Sequence, residues 1–468
     1  MVFTTHIFVF YFLPLFLAVY FLLPFRFRNT WITIASYLFY GWWEPWFVCL
    51  MMFTTVMDFV WGRVITRPGA THRQRKFAVA ACVVTNLSFL GFFKYYMFAA
   101  DTLNRLLGVM GAQQFHVFQV VLPIGISFYT FHSLTYIIDL YRGDATPAKS
   151  FTDFSAFVAL FPDLVAGPII RYKTLAAQLA YRDHTMSRFA SGTCIFIIGF
   201  AKKILLANPA GEIADAVFNA RAPMALDAWL GVFAYSMQIY FDFCGYSDMA
   251  VGLGRMLGFE FLKNFDAPYR AISITDVWRR WHISLSSVLR DYLYFPLGGN
   301  QKGPARTYVN LLVVMLLGGL WHGASWNFLA WGGYHGLLLA FERWRGKQSW
   351  YEFLPRPFQI GVTFFLILLS WVLFRAPDLP SALHYYSAMF TVSEFSPASV
   401  LLGASLYTPY KLLLLAIAGF LVFQRLQAHD WALKPQTWGR VVLLVPLFVV
   451  SLVVMFGQSF NPFLYFQF

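Results

Sequence analysis

Three of the ten histidines in this 468-residue chain stand where an imidazole could handle a proton. His322 lies in Leu316-Leu-Gly-Gly-Leu-Trp-His-Gly-Ala-Ser-Trp326, at the junction of two apolar segments and beside Gly318, Gly319, Gly323 and Ala324. Small neighbours leave room for another group next to the ring. A neutral imidazole there can accept a proton near pH 7, as activation of a hydroxyl or thiol for acyl transfer requires. A histidine satisfied by an interhelical hydrogen bond is the competing reading, and His335, in Trp331-Gly-Gly-Tyr-His-Gly336, has a similar setting. The third is His282, in Trp278-Arg-Arg-Trp-His-Ile-Ser-Leu-Ser286. This spacing predicts Trp278, Trp281 and His282 on one helical face, with Arg279 and Arg280 turned elsewhere. Aromatic and basic anchoring at a membrane surface accounts for the tryptophans and arginines, but not for the histidine.

The acids are fewer. Asp242 and Asp248 occur in Tyr240-Phe-Asp-Phe-Cys-Gly-Tyr-Ser-Asp-Met249, six positions apart. Gly245 is expected to interrupt this run, with Ser247 and Asp248 capping the next helix, so capping or pairing with an arginine competes with acid-base chemistry. His132 and Asp139 flank another apolar segment. No histidine has an aspartate five residues on, which excludes the soluble-type His-x4-Asp acyltransferase motif. The phosphate-binding Gly-x4-Gly-Lys-Ser/Thr loop is also missing, and no Cys/His grouping suggests a catalytic metal.

These side chains must be positioned by elements suited to lipid. The chain is 59% apolar and 20% aromatic but only 12% charged, against roughly 25% charged in soluble domains. Its net charge of +13 reads as the basic bias of cytoplasmic loops rather than as a nucleic-acid surface. A bilayer core needs about 20 mainly apolar residues in helix, and the candidate spans lie near 6–24, 29–43, 46–62, 77–93, 118–138, 189–206, 226–243, 308–320, 326–342, 358–374, 410–424 and 440–457. The first has no basic flank or cleavage site and is expected to remain as a span. Residues 151–170 and 245–297 are apolar but broken by Pro, Gly and charge, as in re-entrant or interfacial segments. The expected fold is therefore an all-α polytopic membrane protein, with about 11–13 transmembrane helices in one domain over residues 1–468.

Segment 63–76 carries Arg63, Arg67, Arg73, Arg75 and Lys76 without an acid and is expected to be cytoplasmic. Counting spans from there turns both termini outward, though Lys202 and Lys203 fit this count poorly. The four cysteines, Cys49, Cys82, Cys194 and Cys244, all lie in apolar stretches and read as small hydrophobes.

Longer words along the chain resemble the bacterial branch of the membrane-bound O-acyltransferase family that is typified by alginate O-acetylation proteins. They include Ala35-Ser-Tyr-Leu-Phe-Tyr-Gly-Trp42, Leu122-Pro-Ile-Gly-Ile-Ser-Phe-Tyr-Thr-Phe131, Trp278-Arg-Arg-Trp-His-Ile-Ser284, Leu289-Arg-Asp-Tyr292 and Gly319-Leu-Trp-His-Gly323. The resemblance implies a ring of tilted helices with a central funnel or tunnel. It also implies catalysis by His322 with His282 as the family's second histidine, and acetyl-CoA as the donor. The implied partner is a periplasmic SGNH-hydrolase-type acetyltransferase that modifies a polysaccharide, with alginate favoured over peptidoglycan or cellulose. Such a protein would sit in a bacterial inner membrane among lipid, with no nucleic acid. Arg279, Arg280 and Arg290 could attract the nucleotide phosphates, or equally anionic lipid. Without the resemblance, broken helices around buried polar groups would suit a transporter.

Overall fold

The computed structural model describes residues 1–468 except 166, 347, 392–396, 436, 459 and 463–468. The described residues contain helices, turns and loops but no strand. They group into two compact units, residues 1–189 with 253–261, and residues 190–252 with 262–468.

The first unit is built on α1 (Phe8–Leu22), α2 (Phe25–Gly41), α3 (Trp46–Thr66), α4 (His72–Val109) and α5 (Ile126–Arg142). The turn between α3 and α4 holds the basic segment, and Thr71 opens α4 with a reciprocal capping box to Gln74. Helices α3 and α5 meet where Gly62 lies under the Tyr136 ring, 2.8 Å from where a β-carbon would stand. Between α3 and α4 the buried Asp58 carboxylate accepts from the Cys82 thiol at 2.9 Å and from Asn86 at 2.8 Å. Cys82 is therefore a donor in a buried polar knot as well as a small apolar filler. The span expected over 118–138 starts late, because Pro123 and the left-handed Gly125 (φ 77°) keep the chain out of helix until Ile126. Gly125 also abuts the backbone of Leu164, with 2.6 Å between a hypothetical β-carbon and the carbonyl oxygen.

The second unit contains most of α6 (Met186–Phe218) and α7 (Ala225–Met256). It continues with α8 (Ile274–Arg280), α9 (Ile283–Leu289), α10 (Pro304–His322), α11 (Trp326–Trp344), α12 (Arg356–Arg375), α13 (Pro409–Val422) and α14 (Trp438–Gly457). Among the described residues of the two units taken together, six helices are long and apolar enough to cross a membrane, or seven if the bent pair 399–406 and 409–422 forms one span.

Gly245 does not interrupt the run around the two aspartates. Helix α7 passes straight through it, because without a side chain it can lie against the Gly199 carbonyl of α6. The aspartates pair with lysines rather than arginines: Lys203 with Asp242 at 2.8 Å and Lys202 with Asp248 at 2.7 Å. Lys202 and Lys203 resisted assignment to a loop for this reason. They lie inside α6 and neutralise the acids of α7.

Candidate active site

Helices α10 and α11 form a hairpin whose faces are lined with glycine. A β-carbon at Gly319 would strike the Phe328 carbonyl, one at Gly332 the Met315 carbonyl, and one at Gly336 would come within 3.1 Å of Leu312 Cα. Small residues allow the two backbones this approach. The pairing brings His322, the last residue of α10, against Trp331 of α11, with ring centroids 5.2 Å apart. Phe374 of α12 closes a third side at 5.2 Å.

His322 is buried, yet it lines a cavity of about 490 Å³ together with Trp278, Arg279, Ser286, Arg290, Gly318 and Trp331. Such a volume lies within the usual range for small-molecule sites. Of the glycines expected to leave space beside the imidazole, Gly318 faces the cavity. Phe328 fills the space at Gly319 and Gly323, so these two serve helix packing.

The expected helical face shared by Trp278, Trp281 and His282 does not form. Helix α8 ends at Arg280, Trp281 is extended, and His282 takes a left-handed conformation with φ 45° and ψ 54°. The segment just upstream captures the backbone groups at the break: Asp266 N–H donates to the Arg280 carbonyl, and Ile283 N–H donates to the Asn264 carbonyl, both at 2.9 Å. The three side chains therefore diverge. Trp278 goes to the cavity, whereas Trp281 packs on Phe265 and Trp371 at 5.1 Å each. His282 is fully buried, with its ring 4.6 Å from Phe243.

His282 also caps α9, its Nδ1 accepting from Leu285 N–H at 3.2 Å. A neutral ring that accepts at Nδ1 carries its proton on Nε2, and this Nε2 is buried without a hydrogen-bond partner. His282 does not line the cavity. It is linked to His322 through Trp321, whose ring lies 5.9 Å from one histidine and 4.9 Å from the other. His335 is buried behind Trp278 and Trp331, at 5.3 and 4.9 Å, and also lies off the cavity.

The arginines separate as well. Arg279 and Arg290 line the cavity, and Arg290 is also paired with Asp291 at 2.7 Å. Arg280 is held off the cavity by Asp276 at 2.9 Å and Asp266 at 3.7 Å.

One residue that holds the cavity wall in place lies outside every sequence motif. Glu342 of α11 is buried and accepts from Ile274 N–H (2.7 Å), Thr275 N–H (2.8 Å) and the Thr275 hydroxyl (2.6 Å). Its carboxylate thus fixes the N-terminus of α8, the helix that carries Trp278 and Arg279. A lone acid within an apolar span was the available signal. Among the described residues, no cluster of three His, Cys, Asp or Glu side chains could hold a metal ion.

The family model for the membrane-bound O-acyltransferases matches residues 148–375, which include the cavity. The chain is 43% identical over its whole length, and that of the relative, to the Probable alginate O-acetylase AlgI of Azotobacter vinelandii. It is 31% identical to the peptidoglycan O-acetyltransferase of Helicobacter pylori, covering all of this chain and 98% of that one. The teichoic acid D-alanyltransferase of Bacillus subtilis is 29% identical over 48% of this chain and 61% of its own. Likeness of this extent, over an all-helical membrane protein with a histidine at the wall of a cavity, places the chain in the membrane-bound O-acyltransferase family as an O-acyltransferase.

Proposed function

We propose that this protein takes acetyl from acetyl-CoA on the cytoplasmic side of a bacterial inner membrane. It delivers the acetyl to a periplasmic acceptor protein of the SGNH-hydrolase type, for O-acetylation of an alginate-like exopolysaccharide. The observation that carries this reading is that His322 and Arg279 line one cavity. A proton acceptor and a cation suited to the donor's phosphates thus share a chamber large enough for the acyl end of a thioester. His322 serves as the general base. His282 is a positioning residue that acts on it through Trp321. The full-length relatives named for alginate O-acetylation support the choice of acceptor, and the peptidoglycan relative makes peptidoglycan the second reading.

An amide cannot relay a proton as imidazole does. His322→Asn is therefore expected to abolish acetylation of the extracellular polysaccharide while the protein still inserts, because loss of a general base costs about 10² to 10⁴ in rate. Acetyl analysis of polysaccharide and peptidoglycan from a deletion strain complemented with each allele is the measurement. A normal acetyl content with His322→Asn would exclude His322 as the base, and acetyl lost only from peptidoglycan would replace the acceptor.

A further inference from the structure

The polar groups around the cavity are unevenly used. The Thr275 hydroxyl donates to Glu342, the Ser287 hydroxyl to the Ser284 carbonyl at 2.7 Å, and the Ser286 hydroxyl to the Trp281 carbonyl at 3.4 Å. Each is committed within the protein. By contrast, Trp278 and Trp331 both line the cavity, and the indole N–H of each is buried with no acceptor. A buried donor left without an acceptor forfeits the hydrogen bonds it made to water, and buried polar groups in native proteins usually have partners. The two indole rings that carry these donors are neighbours, with centroids 5.7 Å apart, and the Trp331 ring lies 5.2 Å from that of His322. The helices that hold them are fastened to each other, since Glu342 of α11 ties down the N-terminus of α8.

We propose that the Trp278 and Trp331 indole N–H groups receive the acyl carbonyl oxygen of the thioester and stabilise the oxyanion that forms on it. This inference rests on the acyl-transfer reading of the cavity. The acceptor hydroxyl oxygen bonds to the carbonyl carbon, the carbonyl π pair moves onto oxygen, and the hydroxyl proton passes to His322. The indoles hold the oxyanion. When the carbonyl re-forms, the carbon–sulfur bond breaks, and the leaving thiolate takes the proton from His322 as free CoA thiol. Uncharged donors suit this place: held in fixed positions, they stabilise charge as it develops on the oxygen without reorganisation at the moment of reaction. Both tryptophans are thereby catalytic residues rather than packing.

The test replaces each indole with β-(3-benzothienyl)alanine, which keeps the ring shape and substitutes sulfur for the N–H. The full-length protein is placed in nanodiscs, with acetyl-CoA as donor and water as acceptor. Release of CoA thiol is expected to fall about 10²-fold or more in kcat for either replacement, with KM changed less than threefold. Isotope-edited infrared spectra of [1-¹³C-acetyl]-CoA bound to His322→Asn supply a readout that needs neither turnover nor His322 as base. The bound carbonyl stretch should lie below its frequency in an apolar solvent and return toward it when either N–H is removed. Unchanged kcat, or a carbonyl frequency indifferent to both N–H groups, overturns the proposal. If the isosteres fail to fold, an unshifted carbonyl in His322→Asn with native indoles overturns it alone. Full turnover by His322→Asn with a shifted carbonyl would instead remove His322 as base and leave the indoles in place.

Discussion

Arg279 and Arg280 are adjacent and chemically identical, yet their surroundings differ completely. Arg279 is exposed at the cavity wall, whereas Arg280 is engaged by two carboxylates. Arg279→Ala is expected to raise KM for acetyl-CoA about tenfold, as loss of one charge-assisted contact of roughly 1.4 kcal/mol would, with kcat little changed. Arg280→Ala should leave KM within twofold and lower stability by less than about 1 kcal/mol, since its ion pairs are partly solvated. Steady-state kinetics of the two variants decide it, and equal effects on KM would remove the phosphate role from Arg279. His282 carries a similar lesson. Its type marked it as chemical, but its left-handed backbone and its capping of α9 come from the neighbouring loop.

At the scale of elements, the α10–α11 hairpin holds His322 through glycines that are not equivalent. Gly332 touches the Met315 carbonyl, whereas a β-carbon at Gly333 would meet only Leu316 Cδ2 at 3.7 Å, an ordinary contact. Gly332→Ala is expected to lose about 1–3 kcal/mol through overpacking and to drag activity down by displacing His322. Gly333→Ala should be neutral or gain up to about 1 kcal/mol from its better helix propensity. Thermal unfolding of the detergent-solubilised variants would show this, and equal melting temperatures would mean that the hairpin yields. The pairing of α6 with α7 obeys the same logic with charge. Gly199 and Gly245 permit close approach, and two Lys–Asp pairs then cancel charges that neither helix could bury alone.

For the whole molecule, the acid-free basic segment between α3 and α4 predicts a cytoplasmic side for residues 63–76, and hence an outward side for the 42–45 turn one span earlier. With Cys49, which is exposed, replaced by serine, a membrane-impermeant maleimide added to intact spheroplasts should label Glu44→Cys. It should miss Arg73→Cys until the membrane is permeabilised. The opposite pattern would reverse the direction of acetyl transfer. The outward position expected for Phe468 lies outside the described residues. The transporter reading gives way at this scale, because full-length relatives are named as acyl-transferring enzymes.

Membrane helices are legible from sequence because each must satisfy its own backbone and present apolar side chains over about 20 residues. That local condition marked all twelve apolar segments as helical, erring mainly at 118–125, where Pro123 and Gly125 delay the helix. It also marked His322 at a helix junction. Tertiary contacts decided what no local pattern holds. The break after Arg280 arises because residues 264–266 compete for its backbone groups, and the continuity of α7 through Gly245 arises because α6 lies against it. Lys202 and Lys203 looked like a misplaced loop until the partners some 40 residues away, Asp248 and Asp242, came within 3 Å. The cavity itself joins side chains from α8 to α11, and only their packing makes donors of Trp278 and Trp331 by burying two N–H groups that the protein leaves without acceptors.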